Sequence, residues 1–370
     1  MKLLLTGAAG FVGRNFAVSV TGSAGHRTLD VTRSTTQAAL VRAIADADAV
    51  IHLAGTNRPR HPREFDEVNA GFTAIVCDAL RADGRALPIA YASSIQAGLD
   101  NPYGASKRAA EQRLMRHAED TGAPVAIFRL PNVFGKWCPA HRHSVVATFC
   151  HDVARGISIE VHDASAPLQL IHVDDVVEHL LDAVLRTRPG TTFRAAGPVH
   201  RITVGELAGQ IEAFERERRT LAVDRVGHGW LRALYATYVS YLPTTSFAYP
   251  VAAHADARGA FVEMLKTPDS GQVSFFTAYP GVTRGGHYHH AKVEKFLVVR
   301  GRARFRFRHL LTGETHELDT DAATPTIVDS IPGWAHDVTN TGDDELIVML
   351  WASEVFDRAR PDTFSAGTGT

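Results

Sequence analysis

Residues 3 to 13 read Leu-Leu-Leu-Thr-Gly-Ala-Ala-Gly-Phe-Val-Gly, and we expect the first two thirds of the chain to be organised around this segment. The apolar run predicts a buried parallel strand, and the glycines predict a tight turn into a helix. Glycine lets the backbone approach a pyrophosphate, and the helix start offers unpaired N–H groups and a positive dipole end. We therefore predict a dinucleotide site, although three glycines can also serve a turn without a ligand. The predicted cofactor residues are Gly7, Gly10, Phe11, Val12 and Gly13.

Apolar strands alternate with amphipathic helices from residue 1 to about residue 242. Strand-like runs lie near residues 2–6, 27–31, 49–53, 88–92 and 125–129. This rhythm predicts an α/β fold with a doubly wound parallel sheet. A chain of 370 residues allows two domains. We place the first over residues 1–243.

The second predicted strand ends near Asp30 and is followed by Arg33. An acidic residue here usually holds the ribose hydroxyls of NAD, whereas an arginine can pair with the 2′-phosphate of NADP. We predict NADPH with Arg33 as its phosphate contact; Asp30 keeps NAD open, and Arg33 can also be a solvated loop cation. Leu53, Ala54 and Gly55 end the third strand and are predicted to lie against the adenosine side of the cofactor.

Tyr103 and Lys107 are four residues apart at a predicted helix start and so share one face. The ammonium can lower the pKa of the phenol, which would let Tyr103 exchange a proton near neutral pH. A serine at the preceding strand end can orient a carbonyl; we predict Ser94, with Ser93 as its competitor. The same spacing also occurs by chance on helix surfaces, but here it follows a dinucleotide turn.

The spacing Thr-Gly-x2-Gly-x2-Gly from Thr6 to Gly13 resembles the extended short-chain dehydrogenase/reductase family. The resemblance implies catalytic roles for Ser94, Tyr103 and Lys107. Residues 129–135 resemble a further motif of the family, in which Asn132 would lie by a nucleotide-sugar substrate; a simple Pro-Asn turn is the alternative.

Cys138, His141 and His143 follow at a spacing that could suggest a metal, but we favour a substrate loop because this part of the chain has no second ligand cluster. Cys77 and Cys150 are predicted to be core residues. Three cysteines at irregular spacing, with no signal peptide and no long apolar segment, predict a reduced cytoplasmic protein. The net charge of −1 offers no electrostatic reason to expect nucleic acid or a membrane surface as a partner.

Residues 243–258 break the α/β rhythm, and short alternating strands follow. We predict them at 259–265, 272–279, 294–300, 303–309, 314–318 and 345–351. Gly and Pro separate these runs, and helical periodicity is almost lacking. Residues 244–370 are therefore predicted to form an all-β domain.

His287, His289, Glu294 and His336 are the predicted metal ligands of this domain. His287 and His289 would project from one face of a strand, because side chains alternate with a period of two. The spacing matches the first cupin motif, so we expect a jelly-roll fold and a divalent metal, with zinc as our choice. In the second motif Pro332 directly precedes Gly333, which departs from the Pro-x-Gly pattern but leaves His336 in register.

Over essentially its whole length the chain resembles the bifunctional capsular-polysaccharide enzymes of UDP-N-acetyl-L-fucosamine synthesis. Residues 94–97, 100–104, 134–138, 294–299 and 354–357 carry the resemblance. It implies a UDP-sugar substrate, a homodimer, C3 epimerisation of a UDP-2-acetamido-2,6-dideoxy-4-hexulose by the cupin, and NADPH-dependent reduction of its C4 ketone. The two implied reactions are chemically compatible. The C4 ketone makes the C3 hydrogen acidic, as epimerisation requires, and the same ketone can accept a hydride. A regulatory sugar-binding cupin and an iron oxygenase remain alternatives.

Overall fold

The structure is a computed structural model that describes residues 1–22, 25–61, 63–142, 144–256, 259–262, 265, 271–354 and 359–366. The chain forms two compact units. The first comprises Met1–Phe134, His141–Ser144 and Leu168–Arg201, and the second comprises Gly135–Ala140, Val145–Pro167 and Ile202–Thr370.

The elements up to residue 203 alternate strands with helices. They are β1 (Lys2–Thr6), α1 (Phe11–Thr21), β2 (Arg27–Val31), α2 (Gln37–Asp46), β3 (Ala49–His52), α3 (Arg63–Phe65), a π-helix (Asp66–Gly71), α4 (Phe72–Asp83), β4 (Ile89–Ser94), a 3-10 helix (Ile95–Gly98), α5 (Pro102–Thr121), β5 (Val125–Leu130), β6 (Asn132–Phe134), α6 (Val145–Val153), β7 (Pro167–His172), α7 (Val173–Leu185), β8 (Thr191–Arg194) and β9 (His200–Thr203).

The later elements begin with helices and continue as strands. They are α8 (Val204–Thr220), α9 (Gly229–Val239), a 3-10 helix (Thr244–Ser246), β10 (Ala248–Pro250), β11 (Ala253–Asp256), β12 (Gly259–Val262), β13 (Gln272–Ala278), β14 (Thr283–Tyr288), β15 (Glu294–Arg300), β16 (Arg302–His309), β17 (Thr315–Asp321), β18 (Thr326–Asp329), β19 (Trp334–Asn340), β20 (Leu346–Ala352) and β21 (Phe364–Ser365).

The first unit is built on a parallel sheet in the order β2-β1-β3-β4-β5-β8. β1 shows why both faces are covered: Leu3 and Leu5 pack with Phe16 of α1, while Leu4 packs into a second buried cluster with Leu40 of α2. A strand that is apolar on both faces needs helices on both sides of the sheet. The predicted doubly wound α/β fold is confirmed, and the strand ends of this sheet position the predicted cofactor and catalytic residues.

The second unit contains two antiparallel sheets, in the orders β10-β18-β15-β20-β13 and β17-β16-β19-β14-β21. Phe296 of the first sheet and Phe305 of the second contribute to the core, with ring centroids 5.6 Å apart. The predicted all-β fold of this part is confirmed. The strand predicted at 259–265 is present as β12, and residues 263 and 264 lie outside the described part of the chain.

Helices α6, α8 and α9 belong to the same unit as these two sheets. Lys295 of β15 is only 2% exposed, and its Nζ lies 2.9 Å from Asp329 Oδ1 and 3.5 Å from Glu217 Oε1 of α8. Arg218 pairs with the other oxygen of Asp329 at 2.5 Å. A buried ionic network therefore ties α8 to β15 and β18. The domain boundary between residues 243 and 244 stays a prediction, and the compact units divide the chain elsewhere.

Candidate functional sites

The glycine turn after β1 is packed so closely that side chains would not fit. Gly7 has φ +71°, and a β-carbon there would lie 2.8 Å from the Ala54 nitrogen. A β-carbon on Gly13 would lie 2.2 Å from the carbonyl oxygen of Gly7. The N-cap of α1 is Gly10, which offers no side-chain hydrogen bond to the first helical N–H groups. The turn thus leaves the helix start accessible to an anion and brings the strand-end residues of β3 close to it.

Arg33 lies just beyond β2 with its side chain 72% exposed. Its Nη2 is 3.6 Å from Glu64 Oε1, a carboxylate that the sequence reasoning did not connect to it. Asp30 is also exposed, within β2. The choice of NADPH over NADH stays a prediction. Glu64 would compete with the 2′-phosphate of NADPH for the charge of Arg33.

Tyr103 lies in the first turn of α5, where Asn101 Oδ1 accepts the Gly104 N–H at 2.7 Å and Pro102 occupies the first helical position. Ser94 at the end of β4 is the side chain that interacts with the Tyr103 phenol. Burial raises the pKa of Tyr103, and the interaction with Ser94 lowers it in part. The net direction differs from the expected lowering by Lys107, because loss of solvent disfavours the phenolate.

Lys107 is 5% exposed, and its Nζ donates to the carbonyl oxygen of Ala92 at 2.7 Å. The same ammonium lies 4.6 Å from the ring centroid of Tyr91. Burial lowers the pKa of Lys107 to about 8, and the nearby Glu111 raises it in part. Lys107 is therefore held at the end of β4 and close to its own titration range at neutral pH.

Ser93 points to a different partner from Ser94. Its hydroxyl donates to Glu111 Oε1 at 2.5 Å, and Arg129 Nη2 donates to Glu111 Oε2 at 2.7 Å. This bonding favours Ser94 over Ser93 as the serine beside Tyr103. Glu111 was missed by the sequence reasoning; its position four residues after Lys107 on one helix was the available signal.

Asn69 is a second residue that the sequence reasoning missed. It lies in the π-helix, is 1% exposed, and its Nδ2 donates to Ser106 Oγ of α5 at 2.8 Å. Its Oδ1 accepts the N–H of Thr56 at 2.8 Å. A β-carbon on Gly55 would lie 2.9 Å from that Oδ1 and 3.6 Å from Lys107 Nζ. Asn69 therefore joins the β3 end to the helix that carries Tyr103 and Lys107.

Asn132 is exposed at the start of β6, and its predicted substrate role stays a prediction. Trp137, which follows it, belongs to the second unit, where Gly333 comes so close that a β-carbon would lie 2.6 Å from the Trp137 ring. Cys77, Cys138 and Cys150 are buried, and none of the three forms a disulfide bond. The metal alternative considered for Cys138, His141 and His143 includes His143, which lies outside the described residues.

The four predicted metal ligands come together between the two antiparallel sheets. One ligand atom from each of them lies within 4.8 Å of the others: His287, His289, Glu294 and His336. His289 Nε2 is 3.0 Å from Glu294 Oε2, and His336 Nε2 is 3.5 Å from that oxygen. His287 is the register partner of His336 on neighbouring strands. β14 ends at Tyr288, so His289 lies just past the strand, yet its ring centroid remains 5.0 Å from that of His287.

The protonation of this cluster suits a metal. Burial, with the neighbouring His336 and His289, lowers the pKa of His287 to about 4, and burial likewise lowers the pKa of His336. Burial alone would raise the pKa of Glu294, but the neighbouring His289 and His336 hold it well below its usual range. Among described residues, neither ring nitrogen of the buried His336 has a hydrogen-bond partner. Neutral imidazoles, an ionised carboxylate and an unpartnered nitrogen fit a divalent cation.

Both parts of the chain match known families. Residues 3–196 match the NAD dependent epimerase/dehydratase family, and residues 254–364 match the polysaccharide biosynthesis C-terminal domain. The first match covers the turn, Ser94, Tyr103 and Lys107. The second covers the four residues of the metal cluster. Within the described residues, no helix is both long and apolar enough to cross a membrane.

Relatives extend this match to the whole chain. The UDP-2-acetamido-2,6-beta-L-arabino-hexul-4-ose reductase of Pseudomonas aeruginosa is 51% identical over 369 residues, covering 100% of this chain and 99% of the relative. The crystal structure of the capsular polysaccharide assembling protein CapF from Staphylococcus aureus is 40% identical, covers 98% of this chain and 99% of its own, and gives a TM-score of 0.68. A UDP-glucose 4-epimerase from Thermotoga maritima, 20% identical with a TM-score of 0.52 over 58% of this chain and 82% of its own, shares the fold.

The chain therefore belongs to the NAD dependent epimerase/dehydratase family, and within it to the two-part enzymes represented by the Pseudomonas aeruginosa reductase and by CapF. The predicted resemblance is confirmed. The family uses a nicotinamide cofactor, in agreement with the glycine turn.

Proposed function

We propose that this enzyme carries out two consecutive reactions on a UDP-2-acetamido-2,6-dideoxy-4-hexulose: epimerisation at C3 in the cupin and NADPH-dependent reduction of the C4 ketone in the first unit. The observation that carries the proposal is the presence of two complete constellations on one chain. One is Ser94, Tyr103 and Lys107; the other is the metal cluster around Glu294. A 4-ketone is the group that both chemistries require.

In the reduction, bound NADPH supplies the hydride. Tyr103 holds the proton that the ketone oxygen takes up, and its raised pKa keeps that proton in place at neutral pH. Ser94 lies beside the phenol, where its hydroxyl can donate to the same oxygen. Lys107 adds a positive charge held at the end of β4 through the carbonyl of Ala92.

In the epimerisation, a bound divalent metal, for which we propose zinc, supplies a Lewis acid for the ketone oxygen. His287, His289, Glu294 and His336 would hold it. Burial lowers the pKa of His287 to about 4 and also lowers that of His336, so these two imidazoles are neutral at pH 7 and each can offer a lone pair. A charge at the ketone oxygen makes the neighbouring C3 hydrogen more acidic.

We extend the proposal to the assembly and location of the protein. β13 is an edge strand on which Val273 and Phe275 are 57% and 69% exposed, an apolar surface that suits a second copy in a homodimer. Light scattering would measure the mass of the assembly and so distinguish a dimer from a monomer. Three buried cysteines that form no disulfide bond, together with a nucleotide cofactor, agree with a cytoplasmic location.

A pair of single substitutions tests the two reactions separately. Tyr103→Phe removes the proton donor, so NADPH oxidation with the 4-keto sugar should fall at least ~100-fold. Solvent deuterium should still enter C3 of the sugar in this variant.

His287→Ala should do the reverse, because loss of metal removes the charge that acidifies C3. Deuterium entry at C3 should stop, while a ketone already of the right configuration is still reduced. Wild-type deuterium entry in metal-free His287→Ala protein would show that the cupin is not the epimerase and would favour a regulatory module. Oxygen consumption by iron-loaded wild-type protein would favour the oxygenase.

A further inference from the structure

The C-terminal segment, residues 359–366, lies against the proposed metal site. β21 pairs antiparallel with β14 and places Ser365 opposite His287 and Phe364 opposite Tyr288. Lys292 Nζ donates to Thr363 Oγ1 at 2.8 Å. The segment thus contacts the chain on both sides of His289, although it is some seventy residues distant in sequence.

Asp362 holds the loop that leads from His289 towards Glu294. Its Oδ1 accepts the N–H of His290 at 2.9 Å, and its Oδ2 accepts the N–H groups of Ala291 at 3.0 Å and Lys292 at 2.7 Å. Hydrogen bonds to a charged acceptor are stronger than neutral ones. One carboxylate therefore fixes three consecutive peptide groups between two of the proposed ligands.

The main chain of Asp362 contacts a proposed ligand directly. His289 Nδ1 lies 2.7 Å from the Asp362 carbonyl oxygen, which can only accept a hydrogen bond. In a neutral ring the proton is therefore on Nδ1, and Nε2 keeps its lone pair. That nitrogen faces Glu294 Oε2 at 3.0 Å, and two lone pairs so close together are stabilised by a shared cation.

The carboxylate of Asp362 is itself held in place from helix α9. Arg232 Nη2 lies 3.2 Å from Asp362 Oδ2, and Arg232 Nε pairs with Glu354 Oε2 at 2.8 Å. A side chain that is anchored by an arginine and bonded to three amides has little freedom to rotate. Its own carbonyl, and with it the ring of His289, is consequently fixed.

We propose that Asp362 is a positioning residue for the metal site, which sets the tautomer and the rotation of His289 and the path of the loop after it. The inference rests on the metal binding proposed above and deepens it, because it assigns part of the metal affinity to a residue outside the ligand set. Partners that orient a ligand histidine typically contribute 10- to 100-fold to metal affinity.

The backbone of Asp362 decides which substitutions are informative. Its φ is +31°, in the left-handed region that Gly and Asn adopt more easily than other residues. Alanine would add backbone strain, so Asp362→Gly and Asp362→Asn are the useful variants. The first removes the acceptors altogether, and the second keeps one carbonyl oxygen.

Zn²⁺ affinity of the complete protein, measured by competition with a chelator, should fall roughly 10- to 100-fold in Asp362→Gly and less in Asp362→Asn. The visible absorption spectrum of the Co²⁺-loaded protein should also change in Asp362→Gly, because a rotated His289 alters the ligand geometry. A loss of general stability alone would not change that spectrum. The matched control is Asp321→Asn, since Asp321 Oδ1 accepts the N–H groups of Ala323 and Thr324 at 2.9 Å in an exposed turn. It should behave as wild type.

Wild-type affinity and an unchanged Co²⁺ spectrum in Asp362→Gly would overturn the role of Asp362 and leave the metal site intact. A wild-type protein that binds no Zn²⁺, tested beside His287→Ala, would overturn the metal site itself. The two failures are therefore distinguishable.

Discussion

Loss of solvent is the largest influence on the pKa of both Tyr103 and Lys107. Burial raises the pKa of Tyr103 and lowers that of Lys107, whereas the spacing predicted that the ammonium would lower the pKa of the phenol. Residue spacing predicts which groups are neighbours on a helix but not how much solvent each one loses. Glu111 shows the same limit, because its contact with Arg129 joins a helix to a strand far away in sequence.

The cofactor preference depends on Arg33. If it pairs with a 2′-phosphate, Arg33→Ala should weaken NADPH binding by roughly 1.5 to 3 kcal/mol and NADH binding far less. Titration calorimetry with both cofactors measures this difference. Glu64→Gln is the matched variant: it frees Arg33 from its present partner and should strengthen NADPH binding. Equal losses for both cofactors in Arg33→Ala would assign the ribose contact to Asp30.

The pH dependence of the reductase follows from Glu111. Lys107 has a pKa of about 8, so its positive charge is present below that pH and lost above it. Glu111 raises this pKa, and Glu111→Gln should therefore move the alkaline fall of kcat/KM to lower pH, while its one amide oxygen can still accept from Ser93 and from Arg129 Nε. Activity on that limb should fall by up to ~10-fold per pH unit. An unshifted profile would mean that the limb does not report Lys107.

At the level of elements, some strands were predicted at their observed residues, whereas others, including β18 and β19, were not predicted. The strands expected near 27–31 and 294–300 are β2 and β15 at the same residues, since both were marked by their periodicity. β14 reads Thr-Arg-Gly-Gly-His-Tyr and carries two glycines with positive φ and a register shift before His287. Such a strand has no apolar signal, although the ligand spacing pointed to it. The π-helix that holds Asn69 had no signal either.

The ionic network that joins α8 to β15 and β18 should contribute strongly to the free energy of unfolding. It consists of Lys295, Asp329, Glu217 and Arg218. Asp329→Asn removes the buried carboxylate charge that Lys295 and Arg218 share, and loss of one partner of a buried ion pair typically costs about 3 to 5 kcal/mol. Chemical denaturation of the complete protein, followed by tryptophan fluorescence, measures the loss. The control is Asp319→Asn, whose pair with Arg304 is exposed, and little change is expected there. A similar small effect at Asp329 would contradict a structural role for the network.

For the molecule as a whole, the extent of the two compact units shows which helices accompany the sheets of the second unit. A fragment of residues 244–370 lacks three residues that support β15 and β18. Glu217 pairs with Lys295 of β15, Arg218 pairs with Asp329 of β18, and Tyr235 donates a hydrogen bond to Glu217. We expect this fragment to unfold at lower temperature than a fragment of residues 202–370, because the shorter one exposes the network and the apolar surface beside it. Circular dichroism melting compares them. Equal melting would support the boundary at residues 243 and 244.

The two units are interleaved along the chain, and this has a consequence for synthesis on the ribosome. The chain passes from one unit to the other after residues 134, 140, 144, 167 and 201. The first unit has all its residues once translation passes residue 201. Residues 135–140 and 145–167 emerge early, but the strands that complete their unit are translated last. At ordinary elongation rates they wait on the order of 10 to 40 s with Cys150 and the apolar face of α6 uncovered. A nascent chain of this enzyme is therefore most exposed to aggregation after half of it has already folded.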